Sequence, residues 1–329
     1  MIHKKDAKDW ARENMKGLWT SPMYSFTEDL KINEAGMRLN VERMLQVKAG
    51  GLGFGFSEPW VCTHEERKRA MEISIDAIRR RVPAYCHTTD HSVEETINLT
   101  KHAEAIGADA VMIWPPYEWA KSQEMICEFY EYVASKVDIA IFLYNTYHSG
   151  ICMTPETVQR LVKIPNVCAL KDAVNDVPHT VRCKELVGDQ IVVSLSNEEH
   201  LLTMTLQFGQ QVMLGTTSVF LMQSPDYQPI QEYWDLARAG KGAEASLKYH
   251  ELQPLREIWG TMYKVLRDKH AATHPLPQIK YWMDLIGMAG GPSRQPQAPM
   301  TDEQKHSLKS RLEASGWLDR LYPKKRPVA

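Results

Sequence analysis

The sequence has no excess of either charge, no long apolar run and no paired cysteines. Lys and Arg number 39 against 41 Asp and Glu, a formal net charge of −2 over 329 residues, so no global field draws the chain onto nucleic acid or an anionic membrane. No stretch approaches the roughly 20 apolar residues a membrane helix requires. The N-terminal MIHKKDAKDWAREN places Lys, Asp and Glu where a secretory signal carries its apolar segment, and the expected location is the cytoplasm. Cys62, Cys86, Cys127, Cys152, Cys168 and Cys183 are scattered without a C-x-x-C pair. That is a pattern of free thiols in a reducing compartment, and it speaks against disulfides and structural zinc. Gly51-x-Gly53-x-Gly55 misses the spacing of a dinucleotide loop and runs into Ser-Glu-Pro-Trp where a helix would have to begin, so it reads as loop backbone near a substrate.

What is present is a regular alternation. Hydrophobic residues make up 43% of the chain and charged residues 24%, enough apolar material for a sizeable core. Short apolar runs at Lys16–Tyr24, Gly50–Ser57, Pro83–Thr89, Asp109–Pro116, Ile139–Thr146, Val167–Val174, Gln190–Ser196 and Gln211–Ser218 read as strands, each followed by helix signals. Ser92-x-x-Glu95 is a capping box whose helix stops at Gly107, Thr154-Pro155-Glu156 puts Pro at the first helical position, and Gly209 closes the helix before the eighth strand. Eight such units in about 200 residues, without a linker, fit a closed (β/α)8 TIM barrel of the α/β class better than an open doubly wound sheet. The expected division is a barrel over residues 1–228 and additional C-terminal helices over 229–329, broken by the Gly290-Gly291-Pro292 segment.

In such a barrel the chemistry sits at the C-terminal ends of the strands. Strand six, VCALKDAV, carries Lys171 in an apolar run, and period-2 alternation puts it on the face of Val167 and Ala169. A buried lysine is rare unless paired or used, and a desolvated amine has the lowered pKa a Schiff-base nucleophile needs. The competing reading is an outward lysine that snorkels to solvent. Tyr144 on strand five repeats the pattern at the same height: a phenol beside an amine can exchange protons as a carbonyl becomes an imine, although a lone tyrosine there is also an ordinary core residue. His87 and His91 with Asp90 suggest a metal site only weakly, since no zinc-helix motif accompanies them, and Met204, Met213 and Met222 read as core filler.

With these residues in place the sequence resembles the dihydrodipicolinate synthase/N-acetylneuraminate lyase family of class I, pyruvate-handling barrel enzymes. The matching pieces are Tyr144-Asn145, Leu170-Lys171-Asp172-Ala173, Pro115-Pro116-Tyr117, the helix TPETVQRL, and Gly51–Glu58 running into His64-Glu65-Glu66-Arg67. The resemblance runs from about residue 15 to about residue 315. Within it, Arg81-Val82-Pro83, Tyr85-Cys86, Thr88-Thr89, Gly17-x-Trp19-Thr20 and Lys163-Ile164-Pro165 look most like trans-o-hydroxybenzylidenepyruvate hydratase-aldolases, which also carry an aromatic residue where this chain has Phe56. The resemblance implies Lys171 as the imine-forming lysine and Tyr144 as the proton shuttle. It implies Gly55, Phe56, Ser57, Tyr117, His148, Met213 and Gly215 as substrate-binding positions, with pyruvate and an aldehyde as substrates and no cofactor or metal. It also implies a homotetramer in which the loop near Tyr117 or Trp119 approaches a neighbouring subunit.

The departures are specific. The family's paired hydroxyl residues fall on Gly55 and Phe56, so the hydroxyl of the proton relay is missing, with Ser57, Thr88 or Thr216 as stand-ins. Its loss also motivates a non-catalytic binding protein as an alternative, against which stands the retention of Lys171 and Tyr144. The loop Asn145–Gly150 lacks the arginine that holds a second carboxylate in dihydrodipicolinate synthases, which argues against lysine biosynthesis. Phe54, Phe56, Trp60, Trp114, Trp119 and Tyr147 crowd the expected rim and suit a flat, apolar aldehyde. A dehydratase or decarboxylase working through the same imine is the alternative chemistry.

Overall fold

The computed structural model describes residues 2–56, 58–116, 121–215, 217–267 and 275–321. Eight strands form one parallel sheet: β1 Gly17–Thr20, β2 Gly51–Phe54, β3 Ala84–His87, β4 Ala110–Ile113, β5 Ala140–Asn145, β6 Val167–Asp172, β7 Val192–Leu195 and β8 Val212–Leu214. Each lies inside the stretch its apolar run marks; β1 to β7 pair in sequence order, and β8 pairs with β1. The helix α1, Ala7–Asn14, precedes them. The helices α2 Glu34–Gln46, α3 His64–Ile78, α4 Val93–Ala105, α5 Gln123–Ser135, α6 Pro155–Leu161, α7 Val177–Val187 and α8 Leu201–Phe208 connect successive strands. This is the (β/α)8 barrel the alternation implies.

The helix ends follow local chemistry. The Thr154 side chain caps α6 ahead of Pro155, and Gly209 ends α8 at φ +58°. Ser92 accepts the Glu95 N–H at the start of α4, but the reciprocal half of the expected capping box is absent. The Ser92 N–H goes instead to Asp90, and the Glu95 carboxylate faces Asn98 and His64.

The barrel interior is filled by Trp19, Tyr85, Met112, Phe142, Ala169, Val192, Val212 and Leu214, with Ala7, Ala11 and Met15 of α1 joining the same cluster. Helix α1 plugs the N-terminal end: Arg12 donates to the Asp189 carbonyl and Lys8 to that of Val162, both ahead of strand starts. The glycines of β2 make this filling possible. A Cβ on Gly53 would meet the Tyr85 ring at 2.2 Å, and one on Gly51 would meet Trp19 at 2.3 Å. These two glycines are therefore strand residues under interior aromatics, not loop backbone as the sequence suggests.

Among the described residues no backbone ladder joins β7 to β8; side chains stitch the seam. The Leu214 N–H donates to Ser194 Oγ at 2.9 Å, and the Gln210 carboxamide bonds both the N–H and the carbonyl of Leu195. After β8 come α9 Ser218–Leu221, α10 Pro229–Arg238, α11 Gly242–Glu251, α12 Gln253–Arg267, α13 Leu276–Leu285, α14 Asp302–Ala314 and α15 Trp317–Leu321. Trp234 of α10 and Trp282 of α13 share one core with Leu18, Leu52 and Met213 on the outside of the barrel. Two buried ion pairs tie these helices to loops at its C-terminal mouth, Lys280 to Glu58 at 2.9 Å and Arg256 to Glu198 at 2.7 Å. No helix among the described residues is long and apolar enough to cross a membrane.

Candidate active site

Lys171 and Tyr144 are register partners on β6 and β5 and both face the barrel interior. The Lys171 Nζ lies 4.5 Å from the centre of the Tyr144 ring and 5.2 Å from that of Phe56. Only 2% of the lysine is exposed, and loss of hydration alone lowers its pKa from 10.5 to about 7. The inward reading holds over the snorkelling one. A lysine in this state is substantially neutral at physiological pH, as a carbonyl-attacking amine must be.

The two strands are held in register from behind. Asn145 and Asp172, one residue past the pair, point outward, and Asn145 Nδ2 donates to Asp172 Oδ1 at 3.3 Å. Asp172 Oδ2 accepts from the Thr180 hydroxyl at 2.7 Å and from His179 Nδ1 at 2.9 Å, while His179 Nε2 donates to the Met153 carbonyl at 2.9 Å. With an acceptor on each nitrogen the imidazole carries both protons, and the Asp172 hydrogen bond chiefly raises its pKa to about 11. Asp172, His179 and Cys183 also place ligand-type atoms within 4.8 Å of one another, but the hydrogen bonds already occupy the His179 nitrogens. Nothing in the sequence around His179 singles it out; a histidine in the first turn of an ordinary helix has no signature.

Gly55 turns the chain after β2 at φ +88°, where an added Cβ would press on the His87 carbonyl at 3.2 Å. The turn swings Phe56 over the mouth. Its ring stacks on His87 at 5.0 Å and meets Tyr144 edge-on at 6.2 Å. Trp114 closes the next side, 5.1 Å from Tyr144 and 4.4 Å from His87. Trp60, half exposed, lies over Trp114 at 5.7 Å.

Several expected site residues stand elsewhere. Phe54 alternates away from the mouth into the outer core, because the inward position beside it is Gly53. Met213 does the same and packs with Leu18 and Leu52, so its side chain is core filler and does not line the mouth. The Gly215 N–H is taken by the Trp19 carbonyl at 2.9 Å, which leaves it no free donor for a substrate. Thr88 is removed from the candidates for a relay hydroxyl, since its Oγ1 pairs with Thr100 Oγ1 at 2.9 Å on α4, behind the wall. Ser57, Tyr117, Trp119 and Thr216 lie outside the described residues, and for His148 only the backbone is described, in the turn Tyr147–Ser149. His87, His91 and Asp90 do not converge on a metal: His87 Nδ1 donates to the Gly55 carbonyl at 3.0 Å, and the Asp90 carboxylate is engaged by Arg67 at 2.9 Å and His64 at 3.1 Å.

A buried amine beside a phenol, roofed by aromatic rings, is equipped to form an imine with a small carbonyl compound and to move protons during that step. The comparisons agree with this chemistry. The sequence matches the dihydrodipicolinate synthetase family over residues 14–315. It is 30% identical over 302 residues to a protein named 4-hydroxy-tetrahydrodipicolinate synthase from Methanothrix thermoacetophila, covering 90% of this chain and 96% of that one. A protein of the same name from Methanopyrus kandleri is 29% identical over 92% of this chain and 97% of its own. Among solved structures, YagE from E. coli K12, a prophage protein of the dihydrodipicolinic acid synthase family in complex with pyruvate, superposes with a TM-score of 0.79 at 25% identity, covering 92% of this chain and 99% of that one. The chain thus belongs to the dihydrodipicolinate synthetase family, and it is a lyase of the kind whose chemistry runs through a covalent lysine–pyruvate imine without an external cofactor.

Proposed function

We propose that this protein is a class I aldolase of the hydratase-aldolase type, joining or releasing pyruvate and an aromatic aldehyde. The observation that carries the reading is the placement of Lys171, buried and in register with Tyr144 beneath Phe56 and Trp114. The neutral amine attacks the pyruvate ketone, and the carbinolamine loses water with proton transfer at Tyr144 Oη. Loss of a C3 proton from the imine gives an enamine, which attacks the aldehyde carbon; the same steps in reverse cleave a hydrated benzylidenepyruvate-like compound. Backbone amides near Gly55–Ser57 hold the pyruvate carboxylate.

The relatives at 29–30% identity bear the name 4-hydroxy-tetrahydrodipicolinate synthase. Against that activity here stands the loop Asn145–Gly150, which has no arginine for a second carboxylate, and in its favour for an aromatic partner stand the flat walls of Phe56, Trp60 and Trp114. The same reading places a homotetramer in the cytoplasm, the tetramer to be measured by light scattering of the eluting protein. The specificity test is pyruvate consumption with a panel of aldehydes. Aromatic aldehydes should be taken up with kcat/KM at least about tenfold above aliphatic, carboxylate-bearing ones, the effect of a flat apolar site. The opposite order contradicts the assignment. Release of carbon dioxide without aldehyde uptake would transfer it to a decarboxylase working through the same imine.

A further inference from the structure

At the end of the barrel opposite Lys171, α3 stops on two arginines. Arg79 and Arg80 follow its last turn at φ +52° and +54°, consecutive left-handed residues where glycine is the common choice. Helix α4 beside it stops on a glycine, Gly107, at φ +88°. Arg81 is occupied locally: it donates to the Ala77 and Ile78 carbonyls and pairs with Glu42, while the Arg79 N–H bonds the Ile75 carbonyl. The carbonyls at the end of α3 that would repel an anion are thereby covered. The Arg79 and Arg80 side chains make no hydrogen bond or ion pair among the described residues. Strained backbone at residues other than glycine persists where it holds side chains in place, as at ligand clamps.

Both arginines line a cavity of about 340 Å³ between the ends of α3 and α4 and the starts of β3 and β4. The Arg80 guanidinium stands over Gly107, where an added Cβ would lie 3.6 Å from its Nη2. Ile75, Ile78 and Ile106 give the cavity apolar walls. Of its two acids, Asp76 is taken by Arg38 at 2.6 Å, and Asp109 accepts the Ala84 N–H on Oδ2 at 2.8 Å and has no partner for Oδ1 among the described residues. Two guanidiniums without a counter-ion match the two charges of a phosphate monoester, which each can grip as a fork. Apolar walls beside them suit a body attached to that phosphate, and Asp109 offers an acceptor to a hydroxyl on it. We infer that this cavity binds a small phosphate ester bearing hydroxyls and an apolar body, of the nucleoside monophosphate kind, with Arg79 and Arg80 on the phosphate. The site is separate from the imine chemistry at the other end of the barrel.

Calorimetric titration of the full chain with adenosine 5′-monophosphate, adenosine and inorganic phosphate tests it. The nucleotide should bind once per chain, at least about tenfold more tightly than either fragment, because phosphate and body are held by one site. Arg79→Gly and Arg80→Gly each remove a guanidinium and suit the left-handed backbone, so both should melt no lower than the wild type. Each should weaken nucleotide binding by about tenfold or more, and Arg80→Lys, which keeps the charge without the fork, should lose less than Arg80→Gly. Trapping of pyruvate on Lys171 by borohydride should be the same in the glycine variants as in the wild type. Adenosine or phosphate binding as tightly as the nucleotide overturns the ligand class. No binding of the nucleotide, or binding that survives both glycine substitutions, overturns the site, and either result leaves the aldolase reading untouched.

Discussion

An amine stripped of its hydration shell holds its proton less tightly, and at Lys171 this one effect accounts for both reactivity and cost. Pyruvate-dependent inactivation by borohydride should rise with pH and level off with a midpoint near 7. A midpoint above about 9 would mark an ordinary solvated lysine. The same burial opposes folding. The folded pKa lies below the unfolded one, so the penalty is full below about 7, shrinks as pH rises from there toward the unfolded value of 10.5, and is gone above it. Lys171→Met should therefore abolish turnover and, in urea titrations at pH 6, stabilise the protein by about 1 kcal/mol or more. Loss of stability in that variant would mean that the amine is favourably partnered. Tyr144→Phe keeps the ring against Phe56 and Trp114 and removes only the proton-bearing oxygen, so kcat should drop by about 10²–10³ with the fold unchanged.

Between elements, the pair works only while β5 and β6 stay in register at their C-terminal ends, which the Asp172–His179–Asn145 network secures. His179 has a folded pKa near 11, raised above its unfolded value near 6.5, so its stabilisation is fully present below about 6.5 and is lost as pH climbs toward 11. His179→Gln should lose roughly 2 kcal/mol at pH 6 and progressively less by pH 10, read from denaturant midpoints across that range. A pH-independent loss would reduce His179 to a packing residue. The eight strands and the inward faces of β5 and β6 were legible because parallel strands buried on both faces read as apolar runs bounded by turn residues. The network behind them was not, since Asn145, Asp172 and His179 come from three elements and only the closed barrel brings them together. Gln210 was hidden for the same reason: a carboxamide standing in for a strand backbone has no sequence pattern.

At the scale of the molecule, the C-terminal helices are part of the support for the mouth. Lys280 of α13 neutralises Glu58, which ends the loop carrying Gly55 and Phe56, and its ammonium also donates to the Pro292 carbonyl. Lys280→Met would leave a carboxylate buried without a partner, a loss of roughly 3–5 kcal/mol that Glu58→Gln in the same chain should partly restore; thermal unfolding of the single and double variants measures both. The sequence suggested an added helical layer after the eighth strand. What periodicity could not show is that these helices and the outer face of β1, β2 and β8 make one core. Phe54 and Met213 were misplaced at the rim on that account, although strict alternation from Gly53 and Leu214 would have sent both outward.

The central claim is that Lys171 forms the covalent imine. Intact mass measurement after incubation with pyruvate and borohydride, followed by peptide mapping, tests it most directly. The account predicts one reduced pyruvate adduct per chain on the peptide carrying Lys171, absent in Lys171→Met. A folded wild-type protein that takes up no adduct, or carries it on another lysine, would contradict it.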